Sequence, residues 1–208
     1  LIRFEDDGPS ADIGTVSEAS VVLDESVGVD GSDANAEDDD SNVDPFSFGT
    51  TPIGVVSGVN LVATTTATGE DDEGATTAVT LKIVGGSGTD SGLKTTDGQP
   101  IALFLEDDGT VTGRVGDEGG TVIFAIAIDN DGKVTVAQYD SLQHPISPSS
   151  YDEAVDLAGK LNAVVTVTDG DGDVATDEVA IGELIRFEDD GPSADIGTVS
   201  EASVVLDE

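Results

Sequence analysis

The chain has 208 residues, of which 44 are Asp or Glu and seven are Lys or Arg, giving a formal net charge of −37 at pH 7. So acidic a balance excludes nucleic acid and anionic membrane as partners and favours cations. With no Cys and a single His, the chain can form no disulfide and no thiolate or imidazole cluster to hold zinc.

Hydrophobic residues make up 37% of the chain and alternate with polar ones in several segments, which argues for a packed core rather than acidic disorder. No apolar run approaches membrane-spanning length. The first 25 residues, LIRFEDDGPSADIGTVSEASVVLDE, return unchanged at Leu184–Glu208, an offset of 183 residues. The chain therefore reads as one unit of a tandem array plus the start of the next. On this reading residues 1–10 are an inter-repeat linker and 11–183 the body. Residues 184–208 are the linker and first strands of the next identical unit.

Ala11–Val16 and Ser20–Asp24 read as short strands. Gly28–Asp44 is polar and acidic and reads as a surface loop; Asp33, Asn35 and Glu37 alternate within it. Phe46 and Phe48 are expected at a strand edge, and Ile53–Thr68 is rich in Val and Thr, as strands are. Four acids, Glu70–Glu73, form a turn between glycines. Thr76–Val84 places Val79, Leu81 and Ile83 on one face. Gly85–Gln99 reads as a loop. Two hairpins follow, turning at Glu106–Gly109 and at Asp129–Gly132. Two prolines interrupt His144–Ser150, and Ser150–Gly159 is the one helical candidate, with Ser150 as its cap. Leu161–Thr168 alternates again, and Asp169–Asp173 turns the chain into Val174–Ile181. About a dozen short strands with almost no helix predict an all-β fold: an immunoglobulin-like β-sandwich with extra hairpins, since the unit exceeds the ~100 residues of a plain sandwich of that class.

The densest acidic site is Asp169-Gly-Asp-Gly-Asp173. Its carboxylates alternate, and the glycines let the backbone curl so that they converge. Calcium takes six to eight oxygens, a set that carboxylates and carbonyls supply. An ordinary Asp-Gly hairpin turn is the competing reading. An EF-hand is excluded, because Val174 and Ala180 stand where its Gly and Glu are required. If the last two strands flank this turn, it lies at the end where Asp6 and Asp7 enter, so Asp6, Asp7, Asp169, Asp171 and Asp173 can meet. Asp189 and Asp190 would do the same for the next unit. His144 has no nucleophile motif beside it and reads as a structural hydrogen-bonder. No catalytic motif is present, so the chain is not expected to be an enzyme or to take a small-molecule substrate.

The stretches Asp156–Asp173, Phe187–Pro192, Asp90–Gly98 and Gln138–Pro145 resemble the extender repeats of giant repeats-in-toxin (RTX) adhesins. Glu25, in Leu-Asp-Glu-Ser-Val-Gly, resembles the calcium-binding glutamate of cadherin-like repeats. The resemblance implies a Gram-negative bacterium, type I secretion and an extracellular place on the cell surface. It implies calcium-stiffened sandwiches strung between an anchor and a ligand-binding tip, each with adjacent identical repeats as its partners. Calcium binding carries over to Asp169, Asp171, Asp173, Asp189 and Asp190. The acidic loops at 37–40 and 70–73 receive no ligand assignment. The alternative is a repeat that itself binds a glycan or a surface through avidity. An aromatic content of 4% with no Trp weighs against it.

Overall fold

The computed structural model describes residues 2, 7–25, 43–145 and 153–189. The strands are β1 (Ser10–Thr15), β2 (Val21–Asp24), β3 (Gly54–Asn60), β4 (Val62–Ala67) and β5 (Thr76–Ile83). There follow β6 (Thr89–Lys94), β7 (Pro100–Leu105), β8 (Val111–Val115), β9 (Val122–Ile128) and β10 (Lys133–Gln138). The last are β11 (Ala154–Asp156), β12 (Leu161–Thr168), β13 (Val174–Ala180) and β14 (Ile185–Glu188), with a 3-10 turn at Gly182–Leu184.

The architecture is an all-β sandwich. One sheet has six strands in the order β3-β10-β9-β8-β7-β6, so five consecutive strands form an antiparallel meander and β3 joins its edge. Against it lie β13-β12-β5 and β11-β14-β2, and the pair β1-β4 packs on β12 and β13. Alternation does what the sequence requires: Val79, Leu81 and Ile83 of β5 and Leu161, Ala163, Val165 and Val167 of β12 are buried. Residues from all four sheets belong to one contiguous core, from Ile13 to Phe187. The body is therefore one sandwich rather than two.

Four sequence expectations are corrected. The loop expected over Gly85–Gln99 contains β6, which buries Ser91 and Leu93. Phe46 and Phe48 lie outside any strand; the Asp44 carboxylate holds their segment by accepting the N–H groups of both. The helical candidate is overturned in its described part, because Ala154–Asp156 pairs with β14 as a strand; Ser150 itself lies outside the described residues. Finally, the boundary drawn at residue 184 falls inside the body. Strand β14 sits between β11 and β2, antiparallel to the first and parallel to the second. Ile185 and Phe187 are fully buried, and the Phe187 ring lies 5.1 Å from that of Phe124. The loop at 28–44 is described only from Val43, and residues 190–208 of the second copy lie outside the described residues.

The two copies of one sequence thus meet different fates. Ile185 is 0% exposed, whereas its counterpart Ile2 is 85% exposed. One body offers one slot between β2 and β11, and residues 185–188 fill it. Ile185→Ala is expected to cost about 2–5 kcal/mol, and Ile2→Ala less than about 0.5 kcal/mol. Urea unfolding of the two variants measures both.

Candidate functional site

Two clusters of ionisable side chains stand out, one at each end of the run β3–β4. Gly54, at the start of β3, pairs with Gln138, and Gly69 follows the far end of β4. Only Leu61 separates the two strands, too little for the chain to reverse.

At the Gly69 end, the Asp169–Asp173 turn is built by its own first residue. The Asp169 carboxylate accepts the N–H groups of Gly172 at 3.0 Å and Asp173 at 2.8 Å. The Asp169 N–H in turn donates to the Asp173 carbonyl at 3.1 Å. Asp169 is buried, while Asp171 and Asp173 are exposed. One oxygen from each of the three lies within 4.8 Å of the others. Burial alone would raise the Asp169 carboxyl. Its contact with the Asp171 side chain and the surrounding N–H donors outweigh that and hold it below the usual aspartate range.

The acidic loop Glu70–Glu73 packs directly on this turn. The Gly170 N–H donates to the Asp71 carbonyl at 2.7 Å. A Cβ on Gly170 would stand 2.5 Å from the Glu73 carbonyl oxygen, so only glycine allows the approach. Glu70–Glu73, Gly170 and Asp171 line a common depression. The backbone of Asp7 reaches the same loop: a Cβ on Gly69 would lie 2.2 Å from the Asp7 carbonyl oxygen. Asp7 therefore lies at the end of the molecule that carries the 169–173 turn. Asp6 lies outside the described residues.

At the Gln138 end, Glu25 is buried. Its Oε1 accepts Gln138 Nε2 and the Leu142 N–H, each at 2.6 Å. The Glu25 N–H donates to the Glu188 carbonyl at 3.3 Å, so β2 and β14 hand their ends to one site. The segment after β10 is pinned alongside by a bridge between Leu142 and Thr95 and by the Gln143 N–H on the Lys94 carbonyl. This brings His144 Nε2 to 3.7 Å from Glu25 Oε1. Asp189 completes a trio with Glu25 and His144, one ligand atom of each lying within 4.8 Å of the others. Burial pushes the Glu25 carboxyl above its ordinary value of 4.5, and the Leu142 and Gln138 donors and His144 pull against it.

Asp189 was expected to serve the next unit, together with Asp190. Asp190 lies outside the described residues, and Asp189 joins the Glu25 cluster of the body it has just left. His144 was expected to be a structural hydrogen-bonder; neither of its ring nitrogens has a hydrogen-bond partner among the described residues. Sequence reasoning missed His144 and the 70–73 loop as site residues. The glycines flanking that loop were its one signal.

A third feature is apolar. Phe46, Phe48 and Leu105 line a groove rimmed by Glu106, Asp107, Asp108 and Glu118. Asp44 anchors it, accepting the Tyr139 hydroxyl at 2.6 Å. Partial burial pushes the Asp44 carboxyl up, but this hydroxyl and the N–H groups of residues 46–48 bring it below its ordinary 3.8.

Two outcomes follow. Gly170→Ala should lose about 1–3 kcal/mol, because the new methyl meets backbone rather than a movable side chain; chemical unfolding in chelator measures it. For Asp44, a depressed folded pKa means stability that is present above 3.8 and lost as pH falls through the folded value. Asp44→Asn should therefore melt several degrees below wild type at pH 7. The gap should close as the pH falls below the ordinary aspartate range, as thermal melts across pH will register.

No curated protein and no solved structure matches the chain. The model of a family described as a domain of unknown function, DUF5801, matches residues 20–182, more than half of the chain, and the chain belongs to that family.

Proposed function

We propose that this chain is an extender unit of a long bacterial surface adhesin: a spacer, stiffened by calcium, that projects a distal ligand-binding region from the cell. The observation that carries this reading is the placement of one repeated acidic sequence. Asp7 touches the Gly69 loop where the body begins, and Asp189 joins Glu25 where it ends. Asp190 is the counterpart of Asp7 in the second copy. In an array, adjacent residues would then contact the exit of one unit and the entry of the next. Consecutive Cα atoms lie only ~3.8 Å apart, which leaves the joint little slack. Between β14 and the counterpart of β1 stand only Asp189, Asp190, Gly191 and Pro192, and the proline further restricts the backbone.

Calcium suits the Gly69 end. Carboxylates and carbonyls of residues 70–73 and 169–173 converge there, and the donors are all oxygen. Without a cation, like charges at each joint repel and splay it. The family resemblance supports type I export and an extracellular, cell-surface setting, with adjacent identical units as partners. A fold held by calcium would suit export through a low-calcium cytoplasm. A catalytic role has no support from any nucleophile or base pair in these clusters.

One observation favours a second reading, a unit that itself binds a glycan: the groove of Phe46, Phe48 and Leu105. Binding on a glycan array that is lost in Phe46→Ala would select that reading.

A site holding calcium at a hundred times its dissociation constant gains about 2.7 kcal/mol. Several such sites amount to much of a typical folding stability of ~5–15 kcal/mol. Chelator is therefore expected to lower the melting temperature strongly, and magnesium to restore it poorly; an unchanged melt would count against calcium. Small-angle scattering of a four-repeat protein should give a maximum dimension that grows by roughly 40–70 Å per unit in calcium, the length expected of an elongated sandwich of this size. With chelator, or with Asp189→Asn and Asp190→Asn at each joint, that growth should fail. Equal dimensions in both conditions would leave the joints as solvated charge alone.

A further inference from the structure

We propose that Glu25, His144 and Asp189 form a second cation centre, one that selects a borderline transition ion such as Zn2+ over calcium. The trio converges within 4.8 Å from three separate parts of the chain. Convergent acids alone would not make a site. The deciding group is His144, whose side chain is 2% exposed and whose two ring nitrogens have no hydrogen-bond partner among the described residues. A buried imidazole without partners loses its hydrogen bonds to water and gains none in return. Beside it the Glu25 side chain is 5% exposed, with its charge met by neutral donors, the Gln138 amide and the Leu142 N–H foremost. The Gln138 amide, which already touches Glu25, has its own carbonyl oxygen buried and without a hydrogen bond among the described residues. One divalent cation would satisfy the imidazole and both carboxylates together.

The donor set decides the class of ion. Calcium takes oxygen and avoids imidazole, whereas zinc accepts neutral imidazole and carboxylate with four ligands. The absence of an imidazole cluster therefore does not exclude zinc, because one imidazole suffices when two carboxylates are brought to it. The centre is also separate from the proposed calcium site, which lies beyond the far end of β4. It ties together the end of β2, the segment after β10 and the residue that follows β14, so the ion would fasten the exit of the unit.

The single histidine reports on its own site. Chelator-treated protein with labelled histidine is titrated with ZnCl2 in excess calcium, which occupies the surface carboxylates, and the His144 ring signals are followed by NMR. The expected result is a shift that saturates near one equivalent of zinc and that calcium alone does not produce. Asp189→Asn and Glu25→Gln should each weaken it at least about tenfold, a loss that even a supporting group of a metal site can cause. Asp189 is only partly buried, which makes its variant the safer for folding. A ring that ignores zinc, or drifts without saturating, overturns the proposal. So does a saturating shift with calcium alone, which would make the trio an ordinary calcium centre. The calcium dependence of the melt is a separate readout and stands or falls independently.

Discussion

Charge that the chain cannot neutralise by itself governs much of this fold. Seven basic side chains face 44 acidic ones. The pair Lys82–Glu178 is close at 2.6 Å but half exposed, and such pairs contribute little. Arg114 is the better placed. It holds Glu106 at 2.8 Å, donates to Thr112 and the Gly120 carbonyl, and lies 5.7 Å over the Phe48 ring. Elsewhere the backbone is the counter-charge. Asp44, Asp108, Asp117, Asp129 and Asp169 each accept one or two N–H groups from residues two to four positions further along the chain. These acids are thus turn-formers first.

What was legible in the sequence follows from how each strand signals itself. Strands β5 and β12 alternate over eight residues, and their inward faces read off directly. Strand β6 buries Leu93 and the polar Ser91, whose hydroxyl donates to the Ile101 carbonyl, so its pattern looks like a loop. Strand β11 has three residues and no inward alternation, and its partner β14 supplies the pairing that makes it a strand. Strand β14 was hidden for a different reason. An exact sequence repeat marks where the pattern restarts, which need not be where the core closes.

The sites divide in the same way. The Asp169–Asp173 turn is a local arrangement, and alternating Asp and Gly announces it. The loop at 70–73 joins it only because β4 and β5 bring it there, 100 residues earlier in the chain. Glu25 was visible as a motif, but its companions lie more than a hundred residues away. A lone histidine carries no sequence signal of who its neighbours are. The bridge between Thr95 and Leu142, the Gln143 N–H on the Lys94 carbonyl and the capture of Leu142 by Glu25 set the imidazole in place.

Because the closing strand comes from the start of the second copy, its sequence is the same in every unit that shares this repeat. Any copy of Ile-Arg-Phe-Glu then fits the slot between β2 and β11 in any such unit, on the same chain or on a neighbouring one. Exchange of identical elements is a known route to misassembly in repeat proteins. What favours the correct pairing is connectivity. Three residues, Gly182–Leu184, lie between β14 and the end of the preceding loop residue Ile181, itself fully buried. So short a tether keeps the local copy at a high effective concentration against all its duplicates. Strand order in an array of this kind is therefore guarded by tether length, since side-chain specificity can play no part.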